Sequence, residues 1–242
     1  MTDPTSIEAV RDEILARIED AAARAGRDPA EVEIVAVTKT VPAERIRQAY
    51  AAGFRSFGEN RVQERATKQV ELDAAASYPA GEAPRWHLVG PLQSNKARRA
   101  IELFDVIETV DSLELAQRLD RIASEFRPDR PCSVLLQVNV DNDAAKSGFE
   151  PADLERDLSE ILDLPALAVA GLMTVGRLVE VADEARPTFV ALRNLSERLR
   201  ARDERLGPAL SMGMSGDYVV AVEAGATLVR VGSAIFGARP TG

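Results

Sequence analysis

The sequence has very few of the residues on which metal sites and many nucleophile sites depend. It contains one cysteine, Cys132, and one histidine, His87. A single cysteine excludes an internal disulfide framework and a cysteine-based zinc site, and a single histidine excludes a multi-histidine metal site and weakens a Ser-His-Asp arrangement. Cys132 follows a proline at the head of an apolar run, so we expect it to be a small residue of the core or of a strand edge.

Long apolar runs and an excess of basic residues are also absent. No run reaches the roughly eighteen apolar residues that a membrane-spanning helix needs. The formal net charge of -9 argues against a nucleic-acid partner. The first residues, MTDPTSIEAVRDEI, are acidic and helical in pattern, unlike a signal peptide. We therefore expect a cytoplasmic protein with no nucleic-acid or membrane partner.

What the chain does contain is an alternation of short apolar runs with longer segments of helical period. A first helix opens with a capping-box pattern from Thr5 to Glu8 and closes at Gly26. Eight candidate strands follow, at residues 33–38, 54–58, 86–89, 105–110, 133–140, 168–173, 209–212 and 228–231. Helical patterns lie near 42–52, 60–74, 94–103, 111–126, 151–163, 179–204 and 216–224, and a short last helix starts near 233.

This alternation predicts an α/β fold, a single (β/α)8 TIM barrel with an extra N-terminal helix, in one domain over residues 1–242. Runs such as SVLLQVNV and ALAVAGLM are almost continuously apolar, as expected of parallel strands buried on both faces. A doubly wound open sheet is the alternative.

Glycines and serines follow the last two predicted strands, where a TIM barrel has its functional end and its usual phosphate position. Glycine lets backbone N–H groups approach a ligand, and serine adds a hydroxyl donor. Two tight turns with helix N-caps would explain the same pattern, so this alternative stays open. The residues concerned are Ser211 in the last part of the seventh strand, Gly213 and Ser215 directly after that strand, and Gly232 and Ser233 after the eighth.

Lys39 ends the first buried run and is one of only four lysines in the chain. Such a lysine is a surface residue, a salt-bridge partner or an amine nucleophile that forms a Schiff base. The third interpretation, combined with a phosphate position, suggests pyridoxal phosphate (PLP). Arg230 ends the eighth strand among apolar residues and needs a partner there. That partner is the PLP pyridine nitrogen or a structural ion pair, with Glu223 and Glu59 among the candidates.

Several ordered motifs together resemble the pyridoxal phosphate homeostasis protein family: VAVTKTVP, FGENRVQE, WHLVGPLQSNK, LQVNV, KSGF, GLMT and SMGMSGDYVVAVEAGATLVRVGSAIFGAR. The family is similar to the barrel domain of alanine racemases, fold type III, without their second domain. The resemblance implies PLP held as an internal aldimine on Lys39 and a contact from Arg230 to the pyridine nitrogen. It also implies that Asn60 lies near the cofactor. It implies phosphate contacts from the segment that contains Ser211, Gly213 and Ser215 and from Gly232 and Ser233.

Two functions are compatible with such a site. A racemase needs an acid–base group on each face of the substrate. None of the three tyrosines, Tyr50, Tyr78 and Tyr218, is placed as a credible second acid–base group beside Lys39. We therefore predict a protein of intracellular PLP (vitamin B6) homeostasis without robust turnover and without a catalytic residue. Its partners would be PLP and PLP-dependent apo-enzymes that receive it, and it would be a monomer or weak dimer. The alternative is a PLP-dependent amino-acid racemase.

Overall fold

Eight parallel strands form a closed barrel in which each strand pairs with the next and the last pairs with the first. The computed structural model describes residues 6–73, 83–176 and 179–237. The closed order confirms the predicted barrel and excludes the open sheet, whereas a single domain over 1–242 stays a prediction. In chain order the strands β1 to β8 are Glu33–Val37, Ser56–Glu59, Arg85–Leu88, Val106–Val110, Cys132–Gln137, Leu167–Met173, Ala209–Met214 and Leu228–Val231.

Helices alternate with these strands in the described parts of the chain. They pack around the barrel because each presents an apolar stripe to the outward side chains of the strands. In chain order the helices α1 to α9 are Ile7–Arg24, Ala43–Ala51, Val62–Asp73, Ala97–Leu103, Leu113–Phe126, Pro151–Leu162, Arg186–Arg202, Tyr218–Ala224 and Ser233–Phe236. No helix among the described residues is both long enough and apolar enough to span a membrane.

The extra N-terminal helix α1 is confirmed, and both of its ends have clear physical causes. Thr5 of the predicted capping box lies outside the described residues, and the side chain of Ser6 accepts the capping bond from Ala9 N–H at 3.1 Å. At the other end Gly26 has φ +65°, and Arg27 N–H donates to the carbonyl of Ala22 at 2.9 Å. This is a Schellman motif, in which glycine adopts the left-handed conformation without a steric penalty.

Helix α1 completes the ring of helices around the barrel. The helix after β8, α9, has only four residues. Helix α1 packs against α8 and also contacts α9 and α2. Ile14 and Ile18 of α1 are buried at these contacts. The N-terminal helix thus fills the place that a full-length eighth helix would take.

The C-terminal ends of two strands differ from the predicted ones by more than one residue. Strand β7 continues to Met214, because Gly213 with φ +88° is accommodated within the strand by a register shift. Strand β5 ends at Gln137, because the Asn139 side chain accepts from Asp143 N–H and donates to the Asp143 carbonyl. These bonds fold the chain into a turn that residue polarity alone does not reveal.

Candidate functional site

A cavity of about 870 Å³ opens at the C-terminal ends of the strands. This volume lies within the range of small-molecule sites. Most of the residues singled out in the sequence meet in its wall, whereas Ser211 and Gly213 do not. The predicted residues that line it are Lys39, Asn60, Ser215, Arg230, Gly232 and Ser233.

The loops that carry Lys39 and Gly232 are neighbours, because β1 and β8 close the barrel. A Cβ atom on Gly232 would lie 3.2 Å from the carbonyl oxygen of Val37, so the two loops pack closely. The loop after β7 joins them through Ser215, whose Oγ accepts from Gly232 N–H at 3.1 Å and from Ala234 N–H at 3.3 Å. The Ser215 hydroxyl thus connects the two Gly/Ser segments, one after β7 and one after β8, in a single wall of the cavity.

The Ser215 loop is itself closed by Asp217. The Asp217 carboxylate accepts from Met214 N–H at 2.6 Å, and Asp217 N–H donates to the Met214 carbonyl at 3.0 Å. Burial raises the pKa of Asp217, and the bond from Met214 opposes that shift. Beside this turn, Gly216 leaves open space, since a Cβ atom there would meet nothing within 4 Å. The loop is therefore fixed in shape while its surface stays open to a ligand.

Arg230 lines the cavity from inside the barrel, and its guanidinium is held in place. Nη1 donates to Ser211 Oγ at 2.6 Å, and Nη2 donates to the carbonyl of Thr174 at 2.7 Å. Glu108 Oε2 lies 3.9 Å from Nη1. Burial lowers the pKa of Arg230 and the charge of Glu108 opposes this, and the group stays charged because an arginine pKa lies so far above neutrality.

The ion-pair candidates named from the sequence were wrong. Glu223 binds Arg24 and Arg186 on the outer surface, and Glu59 binds Lys68. Glu223 is on a helix outside the barrel, and Glu59 pairs with a lysine of helix α3, so neither carboxylate reaches Arg230. The acidic partner is Glu108, which the sequence reasoning missed. The available signal was a lone carboxylate within the apolar strand segment VIETV.

Glu108 belongs to a buried polar chain that crosses the barrel. Its Oε1 lies 2.7 Å from His87 Nδ1, and its Oε2 accepts from Ser211 Oγ at 2.6 Å. Strands β4 and β7 are not neighbours, so the second bond passes through the interior. Burial alone would raise the pKa of Glu108, but the bond from His87 and the charges of His87 and Arg230 outweigh it and lower that pKa. Ser211 therefore supports Arg230.

Asn60 owes its position to a glycine on the neighbouring loop. A Cβ atom on Gly90 would lie 2.3 Å from the backbone oxygen of Asn60, so only glycine permits this approach. The Gly90 carbonyl accepts from Thr109 Oγ1 at 2.9 Å, which fixes the loop after β3 against β4. Asn60, Gly90 and Thr109 all line the cavity.

Neither tyrosine nor histidine lines the cavity in the described part of the chain. Tyr50 lies on α2 beneath the guanidinium of Arg55, 4.4 Å from it, and Tyr218 is buried in α8. Tyr78 lies outside the described residues. His87 is occupied by Glu108 inside the barrel. The described cavity wall thus contains the amines of Lys39 and Lys146, the guanidiniums of Arg45 and Arg230, hydroxyls and amides.

Comparison with known proteins assigns the chain to a family. The family model for the alanine racemase N-terminal domain matches residues 11–240. The pyridoxal phosphate homeostasis protein of Pseudomonas aeruginosa is 45% identical over 232 residues, covering 95% of this chain and 94% of that protein. This chain belongs to the pyridoxal phosphate homeostasis protein family.

Solved structures agree with that assignment. PipY of Synechococcus elongatus, a structure with PLP bound, has 43% identity and a TM-score of 0.79 over 91% of this chain and 100% of that one. Alanine racemase of Clostridium difficile has 15% identity and a TM-score of 0.65, covering 94% of this chain and 60% of that one. The second likeness shows the barrel fold alone.

The residues around the cavity fit PLP, the cofactor named for these relatives. Lys39 offers a primary amine, Ser215 and Ser233 offer hydroxyl donors, and Arg230 offers a fixed cation. The open space beside Gly216 and the close approach at Gly232 provide a wall without protruding side chains. An amine, hydroxyl donors and a cation are chemically suited to an aldehyde, a phosphate and an aromatic ring.

Proposed function

We propose that this chain binds PLP in the cavity and takes part in intracellular PLP homeostasis. One observation carries the proposal: Lys39, Arg230 and the two Gly/Ser segments line the same cavity at the functional end of a TIM barrel. When bound, PLP supplies an aldehyde that reacts with amines and a ring that withdraws electrons.

Each residue has a part suited to its chemistry. Lys39 provides the amine for covalent attachment, and the hydroxyls of Ser215 and Ser233, with the backbone at Gly232, receive the phosphate. Arg230 donates to the ring nitrogen and, being charged, keeps that nitrogen unprotonated. Asn60 lies beside the ring. Ser211 and Gly213, which lie behind the wall, support Arg230 and the loop after β7.

A carrier or regulator is favoured over a racemase. Racemisation needs a second acid–base group opposite the lysine, and the described cavity wall contains neither tyrosine nor histidine. The proposal therefore includes hand-over of PLP to PLP-dependent apo-enzymes in the cytoplasm, by a monomer or weak dimer.

The test is covalent trapping. Wild-type protein is incubated with PLP, reduced with borohydride and mapped by mass spectrometry. We expect one pyridoxyl group on Lys39, lost in Lys39→Ala and retained in the matched control Lys96→Ala, because Lys96 is not part of the described cavity wall. Full labelling of Lys39→Ala would overturn the assignment of Lys39.

Turnover separates the two functions. We expect no sustained interconversion of L- and D-alanine by PLP-loaded protein, because the described cavity wall offers neither tyrosine nor histidine opposite Lys39. Turnover that disappears in Lys39→Ala would establish the racemase instead.

A further inference from the structure

The residue after Lys39 has a strained backbone. Thr40 has φ +63°, the left-handed region that β-branched residues rarely occupy. Such a conformation is unfavourable and persists only where the surrounding structure enforces it. Thr40 Oγ1 also donates to the carbonyl of Lys39 at 2.6 Å. The turn that carries Lys39 thus needs a restraint from outside itself.

Helix α3 supplies that restraint. Glu64 Oε1 accepts from Thr40 N–H at 2.5 Å, which binds the chain directly after Lys39. Lys68 Nζ donates to the carbonyl of Thr38 at 2.6 Å, which binds the chain directly before Lys39. Lys68 Nζ also donates to Glu64 Oε1 at 2.8 Å. Two residues one helical turn apart therefore hold both sides of the lysine.

Glu59, the last residue of β2, connects Lys68 to Thr38. Its Oε1 accepts from Lys68 Nζ and from Thr38 Oγ1, each at 2.6 Å. Glu59 is fully buried and Lys68 nearly so. Burial raises the pKa of Glu59 despite these bonds. Partial burial also acts to raise the pKa of Glu64, but the bonds from Lys68 and Thr40 N–H outweigh it and lower that pKa, so Glu64 is a carboxylate at neutral pH.

Lys68 and Glu64 make more contacts outside α3 than two residues that only stabilise the helix would need. A lysine that only stabilised the helix would pair with Glu64 at i,i+4. Here the Lys68 ammonium also donates to the Thr38 carbonyl next to β1 and to Glu59 of β2. The Glu64 oxygen that Lys68 binds also accepts from the N–H of the strained residue Thr40. Charge-assisted bonds in a buried setting are strong and directional. The cluster therefore acts on the Lys39 turn.

We propose that Glu64, fixed by Lys68, is a positioning residue that holds the left-handed turn at Thr40 and so directs Lys39 into the cavity. This inference rests on the proposed function, because it assigns Lys39 as the attachment point. Glu64 is the residue to substitute, since removal of Lys68 would leave Glu59 as an uncompensated buried carboxylate.

The experiment compares Glu64→Ala and Glu64→Gln with the control Glu71→Ala, an exposed carboxylate on the same helix. One readout is hydrogen exchange of the segment around Thr40 in the PLP-free protein. The other is the PLP concentration that half-saturates borohydride trapping on Lys39. We expect Glu64→Ala to exchange faster in this segment alone and to need about tenfold to a hundredfold more PLP.

Rescue distinguishes positioning from general stability. Glu64→Gln keeps an acceptor oxygen, so it should lose less than Glu64→Ala. Thr40→Gly in the Glu64→Ala background should recover much of the trapping, because glycine adopts φ > 0 without the Glu64 bond. A Glu64→Ala protein that traps PLP like Glu71→Ala, or that exchanges faster throughout the barrel, would overturn the inference. Absence of a Lys39 adduct in wild type would instead overturn the proposed function, and the exchange readout would still decide whether Glu64 holds the turn.

Discussion

Glu108 is the residue on which the barrel interior depends. It is fully buried between two cationic or potentially cationic partners, Arg230 and His87. A carboxylate only accepts hydrogen bonds, so His87 donates from Nδ1 and Ser211 donates from Oγ. Arg230 reaches the cavity wall from this network, and the orientation of a cavity residue thus depends on a carboxylate that is not part of the described wall.

The lowered pKa of Glu108 makes this support pH-dependent. A carboxyl whose pKa is lower in the folded state than its ordinary 4.5 stabilises the fold above that value, and the stabilisation is lost as the pH falls through the folded-state pKa. We expect Glu108→Gln to lower the free energy of unfolding by about 3 kcal/mol at neutral pH. The difference from wild type should shrink in acid below the ordinary value.

Urea unfolding of both proteins across this pH range measures the effect. Glu223→Gln is the control, since that carboxylate also has a lowered pKa, because of its bonds from Arg186 and Arg24, but lies at the surface. We expect it to cost less than about 1 kcal/mol, as exposed ion pairs do. A Glu108→Gln deficit that stayed constant with pH would contradict the assigned ionisation.

At the scale of elements, the close packing of α8 on β7 depends on the lack of a side chain at Gly213. A Cβ atom on Gly213 would lie 2.5 Å from Ala221 Cβ and 3.1 Å from Tyr218 Cα, and the residue has φ +88°. Strand and helix therefore meet closely at the point where the Ser215 loop leaves β7. The loop can be short and closed because the two elements that flank it are in contact.

Substitution Gly213→Ala should combine a steric clash with a backbone penalty. We expect it to lower the free energy of unfolding by about 2–4 kcal/mol and to weaken PLP trapping, because α8 must move away from β7. Gly26→Ala is the matched control, with φ +65° but no atom within 4 Å of the added Cβ. It should cost about 1 kcal/mol, and equal losses in denaturant unfolding would refute the packing argument.

The order and type of the elements followed from periodicity, because strands buried on both faces and amphipathic helices leave strong patterns in sequence. Residues at strand ends, including Lys39 and Ser233, were predicted to meet because parallel strands of a closed barrel end at one rim. Their placement in one cavity wall agrees, while their roles stay proposals.

Partners across the barrel could not be predicted. The pairing of Glu108 with Arg230 joins β4 to β8, and their register depends on closure of the whole sheet. The position of Gly213 was missed because β7 continues through this glycine, which looks like a loop signal. The bonds of Ser211 to Glu108 and Arg230 were missed because they also lie within the barrel interior. The restraint by Glu64 was missed because a helical i,i+4 pair with Lys68 resembles an ordinary surface salt bridge.

At the scale of the molecule, α1 stabilises the barrel from outside. It packs beside α8 and α2, where the short α9 leaves the ring of helices incomplete. Ile18 is almost completely buried at this contact. Arg24 of α1 also bonds Glu223 of α8 at 2.8 Å. The helix thus packs on neighbouring helices, and none of its residues lines the described cavity wall.

Ile18→Ala should therefore lower global stability while sparing the site. Loss of buried methyl groups with the resulting cavity should cost about 2–4 kcal/mol, whereas the exposed control Glu19→Ala should cost almost nothing. We expect both folded proteins to trap PLP on Lys39 at the wild-type PLP concentration. Denaturant unfolding and trapping measure the two effects, and a weakened site in Ile18→Ala would show that α1 acts on the cavity.

The closure of the barrel by β1 and β8 has a consequence for how the protein is made. The amine of residue 39 leaves the ribosome before strands β2 to β8, whereas the wall at residues 232 and 233 follows β8. Domains are completed from the N-terminus onward during synthesis, and β1 cannot find its second neighbour until β8 exists. Until β8 has been made, the growing chain thus carries the Lys39 amine without the wall beside it, so under the proposed function PLP can be retained only once β8 is in place.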